Sequence, residues 1–202
     1  MMASCATGAS LRGRPGRLRV DLVRDVEASY RGLAALGFRS IALSGDSAGG
    51  NLALLLLALL ASNPPTGGVL PVAAVALSPV TDLTLSGSSI ETRAEADPYF
   101  TRAQVEGLVR AYLGDADPAD PLASPLLGDL RGLPPIRVHV GDDEILLEDA
   151  RRYVARAVEA GVDAKLDVWL GMPHGFVGSL SAAGHALDAA ASFLSDRLRG
   201  TA

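Results

Sequence analysis

Ser40-Ile41-Ala42-Leu43-Ser44-Gly45-Asp46-Ser47-Ala48-Gly49-Gly50-Asn51, running on into the apolar stretch Leu52 to Ala61, decides how this chain folds. A short strand over Ser40 to Ser44 enters a glycine-flanked turn and leaves it as a buried helix, which Asn63-Pro64-Pro65 ends because proline cannot continue the hydrogen-bond ladder. Outward from this unit the alternation repeats. Upstream, Leu22, Val26, Tyr30, Leu33 and Leu36 recur at helical spacing from Asp21 until Gly37, which suits a helix C-cap. Downstream, Val72 to Leu77 reads as a second buried strand, and a long polar stretch runs from Pro79 to about 100. Thr101 with Gln104 then makes a capping box for a helix through about Leu113. Pro118, Pro121, Pro125, Pro134 and Pro135 punctuate a loop into the strand Ile136 to Val140. Leu146, Ala150, Val154 and Ala157 form a helical face ending at Gly161; Ala164 to Leu170 is a strand; Leu187, Ala190, Leu194 and Leu198 face inward from a last helix. Four strands, each followed by a helical segment, predict an α/β fold with a mainly parallel sheet of about four strands flanked by helices and joined by right-handed crossovers.

The composition narrows the class. With 202 residues, 49% hydrophobic and 20% charged, the chain is too apolar for wholesale disorder, and a net charge of −5 argues against a nucleic-acid partner. Charge is uneven: residues 1 to 19 hold Arg12, Arg14, Arg17 and Arg19 and no acid, so the remainder is more acidic than the total. This Arg/Gly/Pro-rich opening (1–19) is set apart from a domain at 20–202. Cys5 is the single cysteine, which rules out intramolecular disulfides and multi-cysteine zinc sites within this sequence and fits the cytoplasm. No membrane span is expected, since the run from Leu52 to Ala61 falls far short of the ~20 residues a bilayer needs. The arginines of 11–19 are followed by no apolar signal-peptide core.

The chemistry centres on Gly45-Asp46-Ser47-Ala48-Gly49. A G-x-S-x-G match carries weight only between a strand and a helix, which is where it stands. The sharp turn strains its central residue, and flanking glycines let strand and helix backbones approach without Cβ clashes, leaving the Ser47 hydroxyl presented above the sheet. At the helix N-terminus the Ala48 amide and the macrodipole can stabilise an oxyanion. Phosphate-loop alternatives lack their glycine-lysine and G-x-G-x-x-G patterns. Gly-Asp-Ser also occurs in trypsin-like proteases, but there histidine and aspartate precede the serine, whereas His139, His174 and His185 all follow Ser47. Serine, then acid, then histidine is the α/β-hydrolase order, and it places the base in a loop after the last strand. His174 is there, in Gly171-Met172-Pro173-His174-Gly175-Phe176; His139 lies within a strand and His185 within a helix. The acid belongs after the preceding strand, where spacing alone does not choose among Asp142, Asp143 and Glu144. Glu148 and Asp149 read instead as first-turn acids favoured by the helix dipole.

Six segments together are similar to the hormone-sensitive-lipase-like α/β-hydrolases, a bacterial esterase and lipase group. They are Gly-Asp-Ser-Ala-Gly-Gly-Asn-Leu-Ala (45–53), Ser-Pro-Val-Thr-Asp-Leu-Thr (78–84), Ala-Ser-Pro-Leu (123–126), Leu-Pro-Pro (133–135), Val-Gly-Asp-Asp-Glu-Ile-Leu-Leu (140–147) and Gly-Met-Pro-His-Gly-Phe (171–176). The resemblance runs from about 21 to 199. It implies hydrolysis of small carboxylic esters through a serine acyl-enzyme, without metal or cofactor. It also selects the acid: the family's Gly-x-x-Asp/Glu-x-Leu pattern falls on Glu144, with Asp143 second. The expected catalytic set is Ser47, Glu144 and His174, with Ala48 as oxyanion donor.

The chain departs from that pattern in front of Ser47. Only 46 residues precede it, and none resembles the family's His-Gly-Gly-Gly loop, its N-terminal cap segment or its first strands. Each lost oxyanion donor typically costs ~10²–10³ in kcat, so impaired turnover is expected. The reading is an N-terminally truncated or mis-started member, residues 1–19 being an out-of-frame translation. Arginine richness with Lys165 as the single lysine fits GC-rich coding. A His-Gly-Gly-Gly loop encoded in the upstream DNA is the expected outcome of translating it. The strand Ser40 to Ser44 should lack one sheet neighbour, leaving an edge open to self-association. The alternative class is a non-catalytic α/β binding module or inactive fragment that keeps the triad residues.

Overall fold

The computed structural model describes residues 18–65, 68–179 and 183–200. Residues 1–17, most of the arginine-rich opening, lie outside the described residues. Element order is α1 (Leu18–Ala35), β1 (Ala42–Asp46), α2 (Ala48–Ser62), β2 (Ala73–Leu77), α3 (Ser89–Thr92), α4 (Arg102–Leu113), a 3₁₀ turn (Pro125–Leu127), β3 (Ile136–Gly141), α5 (Leu147–Glu159), β4 (Ala164–Trp169), α6 (Phe176–Ser179) and α7 (Gly184–Arg199).

The four strands form one sheet in the order β1-β2-β3-β4, and every pair is parallel, as the alternation of strands and helices predicts. The register aligns Asp46 with Leu77, Leu77 with His139 and Gly141 with Trp169, so all four strands end along one C-terminal edge. Both faces of the central strands are covered. Leu54 and Leu57 of α2 and Tyr153, Val154 and Ala157 of α5 pack on Ala74, Ala76 and Val138. Ala190, Phe193 and Leu194 of α7 pack on Val75 and Leu77 from the other side. That is why β2 reads as a continuous apolar run instead of an alternating one. Burial of Leu54, Leu55, Leu56, Leu57 and Leu60 makes α2 the central helix, each side chain contributing about 1.5–3 kcal/mol. Among the described residues no helix is long and apolar enough to cross a membrane.

Several sequence expectations need adjusting. The first helix starts at Leu18, three residues before Asp21, and stops at Ala35; Leu36 is 78% exposed because the chain has already left the helical face on its way to Gly37, at φ 96. Leu187 is 44% exposed in the first turn of α7, where Ala186 and Ala190 take the buried positions. The polar stretch after Pro79 contains α3, whose Ile90 is fully buried against Leu85, Val105, Ile145 and Leu146. The Thr101–Gln104 capping box is present, each side chain answering the other's backbone.

Candidate active site

The end of each strand brings one group to the C-terminal edge of the sheet. At the end of β1, Ser47 adopts φ 55 and ψ −117 before α2 begins. Its amide donates to the Leu77 carbonyl at 2.8 Å, which ties the turn to β2. A Cβ on Gly45 would stand 2.1 Å from the Gly49 carbonyl oxygen, so no other residue fits there. The second glycine with a packing role is Gly50, whose Cβ would meet Pro79 at 3.0 Å; Gly49 has open space around it. The close approach expected of the two flanking glycines therefore belongs to Gly45 and Gly50.

His174 sits in the turn after β4 and is buried to 7% exposure. Its Nε2 lies 2.9 Å from Ser47 Oγ, and its Nδ1 lies 2.8 Å from Glu144 Oε2. A carboxylate only accepts, so Nδ1 carries the proton and Nε2 is free to accept from the serine hydroxyl. Glu144 is completely buried at the head of the loop after β3. Its Oε1 accepts from the Gly141 amide at 2.6 Å and from Ser78 Oγ at 2.8 Å. Of the three carboxylates that spacing left open, Glu144 alone reaches His174: Asp142 caps the Gly171 amide at 2.6 Å, and the Asp143 amide donates to the Met172 carbonyl. Gly141 is as constrained as Gly45, since a Cβ there would lie 1.9 Å from the Met172 carbonyl oxygen. Its bareness lets the acid loop and the histidine turn touch.

Burial works to lower the pKa of His174, but the Glu144 hydrogen bond and charge, with Asp46 and Asp97 adding, hold it above the ordinary histidine value. Phe100 packs edge-on to the His174 ring, with centroids 5.0 Å apart. The Phe100 loop is fixed by buried Asp97, which accepts from the Tyr99 and Phe100 amides and, through its other oxygen, from the Ile145 amide next to Glu144. Ala48 is exposed at the first position of α2, so its amide is one of those the helix's own carbonyls cannot satisfy. The other histidines stay away from this constellation. His139 is buried in β3, where Trp169 Nε1 donates to its Nδ1 at 3.1 Å and burial lowers its pKa; His185 is exposed on α7.

The reading of Asp149 as a dipole-facing acid is incomplete. It stands in the first turn of α5, but it is buried, and its Oδ2 accepts from the Thr81 and Asp82 amides at 2.9 and 3.0 Å. Burial pushes its carboxyl up to about 7. Asp82 beside it is held below the ordinary range: burial opposes this, but bonds from Ser86 and Thr84 and the Arg152 charge outweigh it. Sequence reasoning missed Ser78, Asp97 and Phe100. The available signals were Ser-Pro after a strand and Asp-Pro in a turn, neither of which announces a contact with a triad.

Fold and site together define an α/β protein with a hydrogen-bonded serine–histidine–carboxylate chain at the C-terminal edge of its sheet. The chain belongs to the α/β-hydrolase fold family, whose model matches residues 20–178. It is 40% identical over 154 residues to an acetyl-hydrolase of Streptomyces hygroscopicus, covering 75% of this chain and 50% of that protein. An esterase of Acinetobacter venetianus is 36% identical over 160 residues, covering 78% and 51%. Among solved structures, an esterase from the bacterial hormone-sensitive lipase family superposes with a TM-score of 0.82 at 43% identity, covering 87% of this chain and 60% of that one. The resemblance inferred from motifs is upheld. The chain spans about half the length of the curated relatives it matches.

Proposed function

We propose that this chain carries the catalytic machinery of a carboxylic ester hydrolase acting on small-molecule esters. The observation that carries the reading is the unbroken sequence of hydrogen bonds from Ser47 through His174 to Glu144. The names of its relatives, acetyl-hydrolase and esterase, support the substrate class.

In the mechanism, His174 Nε2 takes the Ser47 hydroxyl proton as the oxygen attacks the ester carbonyl. The new oxyanion sits by the Ala48 amide at the N-terminus of α2. Glu144 stabilises the imidazolium, which then protonates the departing alcohol. Water, deprotonated by His174, attacks the acyl-Ser47 ester; the acid leaves and the hydroxyl is restored. Hydrolysis of p-nitrophenyl acetate tests the reading. Turnover by the wild-type chain that Ser47→Ala abolishes supports it, and turnover that survives Ser47→Ala refutes it. A folded wild-type chain with neither turnover nor a reactive Ser47 favours the non-catalytic module instead.

Two further elements belong to the same proposal. Self-association through β1 is supported by its place at one edge of the sheet, with β2 as its single strand partner among the described residues. A cytoplasmic location is supported by the single cysteine.

A further inference from the structure

We propose that Ser78 is a positioning residue of the triad, its hydroxyl locking the Glu144 carboxylate into the rotation that presents Oε2 to His174. The inference rests on the ester-hydrolase reading for its kinetic consequence but not for its geometry.

Three observations carry it. First, Ser78 occupies a backbone conformation that its residue type and its neighbour both disfavour. It has φ 43 and precedes Pro79, although a residue with a Cβ avoids positive φ and a residue before proline is pushed towards extended structure. Strain of this kind persists where the surroundings over-determine it, which is characteristic of functional sites. Second, the surroundings are visible. The Ser78 amide donates to the His139 carbonyl at 2.7 Å, as the Ser47 amide donates to Leu77, so the two serines make matching turns at the ends of neighbouring strands. One turn aims its hydroxyl at His174 Nε2; the other aims its hydroxyl at Glu144 Oε1. Third, Glu144 is fully buried and a buried carboxylate needs donors on both oxygens. Gly141 and Ser78 occupy Oε1 and His174 occupies Oε2. Without the Ser78 hydroxyl, Oε1 keeps one fixed donor, and the carboxylate is free to turn about its last torsion and slacken the bond to Nδ1.

The test uses the full chain with Ser78→Gly and Ser78→Ala. Glycine suits the positive φ and removes the hydroxyl; alanine removes the hydroxyl and keeps the Cβ, so a folding defect of one variant leaves the other to decide. Three quantities are measured: kcat and KM on p-nitrophenyl acetate, the downfield proton resonance of His174 Nδ1–H, and the melting temperature. The expected result is a kcat about tenfold lower or worse, from a lost hydrogen bond to a charged group. KM should change less than about twofold, and the resonance should be lost or moved upfield, with the melting temperature of Ser78→Gly held near wild type. Wild-type kcat and an unmoved resonance in Ser78→Gly, whatever its melting temperature, overturn the proposal. A wild-type chain that gives the resonance with neither turnover nor a reactive Ser47 removes the ester-hydrolase reading, and the resonance in the variants still decides what holds Glu144.

Discussion

Two missing methyl groups shape the site as much as the side chains of Ser47, His174 and Glu144 do. Gly45 and Gly141 each let a carbonyl oxygen come closer than any Cβ would permit, at 2.1 and 1.9 Å from the position a Cβ would take. Gly45→Ala should therefore displace Ser47 and abolish turnover of p-nitrophenyl acetate. Gly49→Ala, on an open helical position, should leave turnover intact and stabilise by up to about 1 kcal/mol in urea denaturation. In the proposed mechanism His174 sets the pH dependence, with its neutral form as the base. Glu144 holds its pKa above the ordinary value, so kcat/KM should rise with pH to a plateau reached only above that value. Glu144→Gln removes the opposing charge and leaves burial to dominate, so the limb should move to lower pH. The same substitution should lower kcat by roughly 10²–10⁴, as loss of the imidazole's orienting carboxylate does elsewhere. A pH–rate profile of both proteins checks direction and size. The positions of Ser47 and His174 were legible because Gly-x-Ser-x-Gly and Pro-His-Gly mark turns whose place between elements is itself informative. The acid was not legible from spacing, since three adjacent carboxylates are equivalent until the loop folds Glu144 back onto the Gly141 amide.

Helix α5 and the chain after β2 are joined by a carboxylate that looks, in sequence, like an ordinary first-turn acid. Asp149 satisfies two buried amides with Oδ2 and has no partner on Oδ1. Asp149→Ala should cost about 2–4 kcal/mol, because both the Thr81 and Asp82 donors lose their acceptor. The sign of its pH effect follows from a folded-state pKa raised to about 7 from an ordinary 3.8. Between those values the folded protein holds the extra proton, so this group's contribution to stability is complete below the lower value and is lost as pH rises through the upper one. Asp149→Asn mimics the protonated form, and its urea midpoint should fall less than that of wild type between about pH 5 and 8. Long helices were readable because their period is set by the face they bury, and the buried strands because they are short apolar runs bounded by turn residues. Ser89–Thr92 was not, because one turn carrying a single buried apolar residue, Ile90, has no period to read.

Across the whole molecule, β1, like β4 on the other side, is an edge strand of the sheet. It ends the sheet, and its residues are partly or fully exposed while those of β2 are all buried. If that edge pairs with a second copy, sedimentation velocity should show concentration-dependent association, and Ser44→Lys, a charge on an exposed edge position, should weaken it. The parallel four-strand sheet was legible in the alternation of elements, because parallel strands demand crossovers long enough to hold a helix; the strand order was not read from it. The central claim is that these crossovers assemble a reactive serine, and labelling with a fluorophosphonate probe followed by peptide mapping tests it most directly. One modified residue, Ser47, with labelling lost in His174→Ala, is the predicted result. A folded chain that takes up no label, or takes it up at another residue, would contradict it.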